Sequence, residues 1–374
     1  MSKRQQLAQE LSRVYADLTN FPETRKHCFI GFDGFTDEIL TAISTRESFL
    51  SMTPMKKIRE FGQRILEASE RSGNIELSLR QVKLGGNAPI LTDALLHGGH
   101  LITFTGSIGE QDQIEPIFQE MANACEEVFS LGPSSHSDAI EFEDGKIILG
   151  KLDNLKNINY ENLLLTVGKE KLKNIFERSD LFISANWTML TSMNHLWACI
   201  LKDIFPISKK PRFLFVDLAD PAKRSDADLK EALRLLKEFT NFYTVIQGLN
   251  EAEALRVAKV LAIPISGGSE DHILDLAKEI QTRSGLHQVI IHSTRFACGS
   301  TADGSWIVQG PYTPTPFITT GAGDNFNAGF CNALLYGLST EQALLSGVAT
   351  SGFYVRTGKS PSIPQLCEFL ENWR

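Results

Sequence analysis

Thr319-Thr320-Gly321-Ala322-Gly323-Asp324-Asn325-Phe326-Asn327-Ala328-Gly329-Phe330 carries two threonines into a Gly-Ala-Gly turn and places an aspartate where a helical pattern begins. Phe326, Phe330, Ala333, Leu334 and Leu338 recur at helical spacing, and the pattern ends near Gly337. The first N–H groups of a helix have no partner within it, and glycines let a ligand approach the backbone. An anion is therefore favoured there. A carboxylate beside an anion site repels the anion and needs a reason. Two are open. Asp324 caps the helix, as aspartate commonly does, or it takes the proton of an attacking hydroxyl while the N–H groups hold a transferring phosphoryl group.

The rest of the chain bounds these readings. Its 374 residues leave room for two domains or one large α/β domain with an added element. A net charge of −8 argues against general binding to nucleic acid or anionic membranes, which needs a basic field. Cys28, Cys125, Cys199, Cys298, Cys331 and Cys367 include no C-x-x-C pair, so reduced thiols are expected rather than a zinc site or a disulfide framework. Met1 to Glu10 is charged and has no apolar core of a signal peptide. No run reaches the length of a membrane helix. A soluble, cytoplasmic protein is expected.

Residues 4–18 present a one-faced helix through Leu7, Leu11, Val14, Tyr15 and Leu18, closed by Pro22. Cys28-Phe29-Ile30-Gly31-Phe32 reads as the first buried strand and runs into Asp33-Gly34-Phe35-Thr36-Asp37. Carboxylates at that end of an α/β sheet lie where ligands bind, so Asp33 and Asp37 are candidates to accept hydrogen bonds from sugar hydroxyls. The alternative is turn and cap chemistry. Residues 55–70 predict another amphipathic helix, and Gly85-Gly86-Asn87-Ala88-Pro89-Ile90 opens one that extends to about His97. Ala139–Glu143 and Lys146–Gly150, joined by Asp144-Gly145, predict a hairpin, hence a small sheet standing off the main body.

Strand and helix then alternate. Leu181–Ser184, Phe213–Val216, Tyr243–Ile246 and Val289–His292 read as buried parallel strands. Asn250 and Glu253 share one helical face and could orient magnesium-bound water, or simply cap that helix. Asp303-Gly304 predicts a second hairpin turn, and Ser339 with Gln342 a capping box. The eight histidines show no metal-ligand spacing, and neither a P-loop nor a Gly-x-Ser-x-Gly elbow is present.

The Gly321–Asp324 run resembles the C-terminal signature of the ribokinase/PfkB family of carbohydrate kinases, and Gly85-Gly86-Asn87-Ala88 resembles its N-terminal one. The resemblance spans residues 28 to about 365. It implies a ribokinase-like three-layer α/β/α sandwich with a mostly parallel central sheet and a small β-sheet lid, formed mainly by about 38–52 and 136–152. Residues 27–374 would be the kinase domain and 1–26 a helical extension. By the same resemblance Asp324 is the catalytic base, and the N–H groups of Gly321, Ala322 and Gly323 form the anion hole. Asp37, with Asp33 as second candidate, joins Gly85, Gly86 and Asn87 at the sugar. Asn250, Thr294, Thr320 and Gly323 meet the nucleotide, and Asn250 and Glu253 hold magnesium through water. ATP and Mg2+ are the implied cosubstrate and cofactor, with a sugar as acceptor and a lid-mediated homodimer.

Two departures stand out. Ile90 replaces a second, sugar-contacting asparagine that many members carry. Val355-Arg356-Thr357-Gly358 looks like the loop that binds a monovalent cation in ribokinases, but Ile318 stands where they place an aspartate ligand. The helix terminus is expected to lower the pKa of Asp324. Rival readings are an ADP-dependent sugar kinase of the same superfamily, a nucleoside kinase, and a sugar-binding relative without catalysis.

Overall fold

The computed structural model describes residues 3–18, 25–48, 50–110, 113–206, 212–265 and 267–373. Pro22, and Phe49 within the expected lid, lie outside them. A nine-stranded sheet forms the body. From one edge its strands are Gly304–Gln309, Phe296–Thr301, Gln288–His292, Thr244–Asn250, Phe213–Asp217, Leu181–Ser184, His27–Phe32, Leu101–Gly106 and Glu127–Ser130. Neighbours pair in parallel from Gln288–His292 onward. The two strands at the first edge are antiparallel, the hairpin that Asp303-Gly304 predicts.

The parallel strands are apolar on both faces because helices cover both. In the first strand Phe29 enters the core that holds Phe176, Phe182 and Trp197. Its neighbour Ile30 enters the other, with Ile102, Phe326 and Phe330. This alternation produces three layers. It also brings the ends of the parallel strands, and the residues that follow them, to one edge of the sheet. Asp33, Asn186, Asp217, Asn250 and His292 gather there.

The second sheet has five strands. Phe35–Arg46 is its spine, pairing with Met52–Pro54, Glu76–Gly85 and Ser135–Phe142, and Gly145–Lys151 closes the expected hairpin. Glu76–Gly85 is absent from the expected lid. It is mostly exposed, and its register slips beside Ile39 and Leu40, so no clean alternation marks it as a strand. The helix expected over 55–70 is shorter, Ile58–Glu67. Met55 instead donates its N–H to the Ala42 carbonyl at 2.8 Å, and Phe61 packs with Leu40, Ala42 and Ile140 beneath the sheet.

The helix Lys3–Leu18 packs one face on the body, as its pattern predicts, and leaves Gln6, Glu10, Arg13 and Asp17 exposed on the other. Leu11 and Tyr15 are 0% exposed. The Tyr15 hydroxyl lies 2.6 Å from Ser346 Oγ, and Ser12 Oγ donates to Glu371 at 2.9 Å. All six cysteines are free. Among the described residues no helix is long and apolar enough to cross a membrane. Leu11→Ala should destabilise the protein by about 2–5 kcal/mol, the range for a truncated buried leucine. Urea unfolding measures this, and an unchanged midpoint would mean that the helix is dispensable to the fold.

Candidate active site

Gly321 starts the helix Ala322–Leu335 in the left-handed region, at φ 88°. A side chain there would meet the Tyr354 hydroxyl at 2.8 Å, so both the backbone and the space require glycine. Ala322 donates its N–H to the Thr319 carbonyl at 3.2 Å, closing the turn. The N–H groups of Gly321 and Gly323 precede any carbonyl that the helix could offer them. Tyr354 donates its hydroxyl to the Thr320 carbonyl at 2.8 Å and fixes the approach to this turn.

Asp324 sits in the first turn, 7% exposed, and its Oδ1 accepts a hydrogen bond from Asn87 Nδ2 at 2.9 Å. Its pKa is pushed up to about 7, chiefly by burial, against the pull of the Asn87 hydrogen bond and with the charges of Asp33 and Glu253 adding to it. The expected lowering by the helix terminus is thus reversed. A helix end contributes about 0.3–2 kcal/mol, whereas burial of a carboxylate is worth up to about 3–5 pKa units at 1.36 kcal/mol each.

Asn87 is held from its other side. Its backbone N–H donates to Asp33 Oδ2 at 3.0 Å, and Ala88 N–H to Asp33 Oδ1 at 2.8 Å. Asn186 Nδ2 adds a third donor at 2.7 Å. Asp33, 0% exposed, therefore caps the helix Asn87–His97 from the neighbouring loop, in place of the side chain that Gly86 lacks. Of the two alternatives for Asp33, the cap is the one whose partners are in place. Asp37 is only partly buried, and burial raises its pKa to about 6 against the pull of Lys83, Ser137 and Lys146. A Cβ on Gly85 would lie 2.3 Å from Asp37 Cγ, so the first glycine makes room for this carboxylate. Gly86 supplies the φ of 93° that turns the chain into the helix.

Asn250 and Glu253 form a reciprocal capping box, with both hydrogen bonds at 2.9 Å. The other Glu253 oxygen accepts from Asp220 N–H at 3.1 Å. Among the described residues no group of three or more His, Cys, Asp or Glu side chains could hold a metal directly. Nearby oxygens nevertheless suit a hard cation bound through water. Asp217 is buried, its pKa raised well above the ordinary value first by burial and then by the charges of Glu253 and Asp324. Asn327 donates to Asp217 at 2.8 Å, and its own carbonyl oxygen has no partner.

Two hollows flank the signature turn. One, of about 650 Å³, is lined by Asn250, His292, Thr294, Tyr312, Ala322 and Gly323. The other, of about 740 Å³, lies against the small sheet and is lined by Thr41, Arg80, Glu141, Lys146 and Thr319. Thr319 borders both. Asp324 itself lines neither and is buried in the first turn of the helix. Ile90 packs under that turn, within 3.3 Å of where a Gly321 side chain would be.

A profile of the prokaryotic ketohexokinase family matches residues 11–373. The chain belongs to that family. This kinase is 25% identical to a ketohexokinase of Haloferax volcanii over 349 residues, covering 92% of this chain and 90% of the relative. The Thermotoga maritima ribokinase superposes with a TM-score of 0.63 at 16% identity, over 93% of this chain and 100% of that one. An Arabidopsis thaliana ribokinase complexed with ribose and ATP gives 0.60 at 15% identity, over 93% and 99%. The Methanocaldococcus jannaschii nucleoside kinase gives 0.61 at 15%, over 92% and 98%. The enzyme is a carbohydrate phosphotransferase with the ribokinase-like fold that its two glycine signatures imply.

Lys83, Lys146, Asn186, Asp217 and Tyr354 join the site without having been singled out in the sequence. Lys83 sits on the unrecognised strand, and its charge acts on both Asp37 and, more weakly, Asp324. The others had no motif to mark them, although Asp217 ends a strand predicted as parallel. The raised pKa of Asp324 has a consequence for stability. The native state keeps its proton from the unfolded value of 3.8 up to about 7, so folding is weakened progressively as pH rises through that window. Asp324→Asn should melt higher than wild type at pH 8, with the gap shrinking towards pH 4. A gap independent of pH would contradict the burial argument.

Proposed function

We propose that this kinase moves the γ-phosphoryl group of ATP onto a hydroxyl of a ketohexose, with Asp324 as general base. The Asn87–Asp324 hydrogen bond is the observation that carries the reading. It aims a carboxyl of pKa about 7 at the start of a helix whose leading N–H groups suit a phosphoryl group. The ketohexose follows from the name of the Haloferax relative, and ATP from the ligands of the Arabidopsis ribokinase. The nucleotide occupies the hollow bordered by Asn250 and Thr294, with its phosphates towards Thr320, Gly321 and Gly323. Ala322 contributes through the turn that it closes. The sugar lies on the lid side, against Asp37, Gly85, Gly86 and Asn87, while Asp33 holds Asn87 in place. Asn250, Glu253 and Asp217 would hold magnesium through water, and the ion would neutralise charge on the phosphate oxygens.

Residues 27–374 form the catalytic domain, braced by the helix Lys3–Leu18, and the strands Phe35–Arg46, Met52–Pro54, Glu76–Gly85, Ser135–Phe142 and Gly145–Lys151 form its lid. Leu77, Leu79, Val82 and Leu149 on the lid are exposed and apolar, which supports pairing of two lids in a dimer. Sedimentation at micromolar concentration reads that directly, and a monomer there ends the dimer proposal. The free cysteines fit a reducing, cytoplasmic compartment.

A panel of sugars and nucleosides, each offered with ATP or ADP, tests the reaction. Fructose with ATP should give the highest turnover, and Asp324→Asn should lower it by at least about 100-fold. The wild-type kcat/KM should rise about tenfold per pH unit up to about pH 7 and then level, because only the ionised carboxylate accepts the proton. ADP as the better donor, a nucleoside as the better acceptor, or an unimpaired Asp324→Asn enzyme would overturn the corresponding part.

A further inference from the structure

Gly145–Lys151 is the second strand of the lid hairpin, and Lys146 stands next to its tip. The Lys146 ammonium donates a hydrogen bond to the Thr320 hydroxyl, across 174 residues of sequence. Thr320 is the last residue before the N-cap glycine of the signature helix. The lid and the phosphate-binding turn are therefore in direct contact through this lysine.

The partner is chemically odd. Several other cations of the same sheet rest on carboxylates: Arg80 on Glu141 at 3.0 Å, Lys151 on Asp138 at 2.9 Å, and Arg46 on Glu76. Lys146 hydrogen-bonds a neutral hydroxyl, beside a helix start that carries partial positive charge of its own. Its charge also opposes that of Lys83, the second lid lysine near Asp37 and Asp324. Two ammonium groups and a helix N-terminus repel one another unless an anion comes between them. Asp37 supplies part of that compensation but is itself half-neutralised near pH 6.

We infer that Lys146 is a catalytic residue, carried by the lid to the migrating phosphoryl group, and that its contact with Thr320 marks the closed position of the lid. This rests on Asp324 acting as the base. In the step, the acceptor oxygen bonds to the γ-phosphorus while the bond from that phosphorus to the β–γ bridging oxygen breaks. The bond electrons stay with the nucleoside diphosphate, and the hydroxyl proton passes to Asp324. Lys146 keeps its protons throughout. It donates one N–H to a non-bridging oxygen, whose charge is least shielded when both bonds are long. Because the lysine arrives with the lid, the transition state is fully stabilised only after the sugar has been covered.

Lys146→Met and Lys146→Arg, made in the full chain, test this. The side chain is exposed, so both variants should melt with the wild type. At saturating ATP and fructose, Lys146→Met should lose about 100-fold in kcat, with the KM for sugar within about threefold. Lys146→Arg should recover to within about tenfold of wild type. Calorimetry supplies a readout independent of turnover. With fructose present, aluminium fluoride should tighten ADP binding in the wild type and in Asp324→Asn, but not in Lys146→Met, while ADP alone binds all three equally. A kcat within about threefold of wild type, or equal tightening by fluoride, overturns the assignment. A loss confined to the KM for sugar also overturns it, making Lys146 a sugar ligand instead. Should another acceptor of the panel, such as a nucleoside, replace the sugar, the proposed substrate falls, and the fluoride comparison made with that acceptor still judges Lys146.

Discussion

Asn87 ties the two halves of the site together. Its backbone N–H binds Asp33 at the end of the first strand, and its side-chain amide binds Asp324 in the first turn of the signature helix. These segments lie more than two hundred residues apart, and the asparagine reaches both because Asp33 pins the start of its own helix. The arrangement depends on geometry that only small residues permit. Gly85 leaves space for Asp37, and Gly86 turns the backbone so that the next two N–H groups face Asp33. A larger residue at either position would separate the carboxylates from the amide between them.

Electrostatics explain why such a site needs cations. Asp33, Asp217, Glu253 and Asp324 are all buried at one edge of the sheet, and burial raises the pKa of each. Their mutual repulsion adds to this, most clearly at Asp217. A fold does not gather acids in this way for stability, since unpaired buried charge opposes folding. The compensation comes partly from amide donors such as Asn186 and Asn327. On the lid side it comes from Lys83 and Lys146. This edge of the sheet is thus a balance of opposed charges.

Much of this was legible in the sequence because the informative positions obey strong local rules. The parallel strands are continuous apolar runs, and the Asn250 and Ser339 capping boxes appear where their spacing predicts them. The two glycine signatures are legible for the same reason: a left-handed turn and a close carboxylate leave few alternatives to glycine. The lid strand Glu76–Gly85 was not legible, since a half-exposed strand with a slipped register follows no period. Lys83 was hidden with it. At Asp33 the sequence left cap and sugar ligand open, and the donors that hold it are invisible there because they come from residues 87, 88 and 186. The pKa of Asp324 was misjudged for a similar reason: a helix end is visible in sequence, whereas depth of burial is a property of the assembled chain.

The helix Thr340–Thr357 meets the helix Lys3–Leu18 at Ser346 and the Gly-Ala-Gly turn at Tyr354. Ser12, on that same N-terminal helix, is joined to Glu371 across 359 positions of chain. The helix Lys3–Leu18 therefore waits, during synthesis, for partners made hundreds of residues later, and contacts so distant in sequence form slowly. Its buried Leu11 and Tyr15 are uncovered throughout that interval. The brace behind Thr320 is completed only once Thr340–Thr357 has been made, so a chain cut short before it has neither a sealed core nor a supported Gly-Ala-Gly turn.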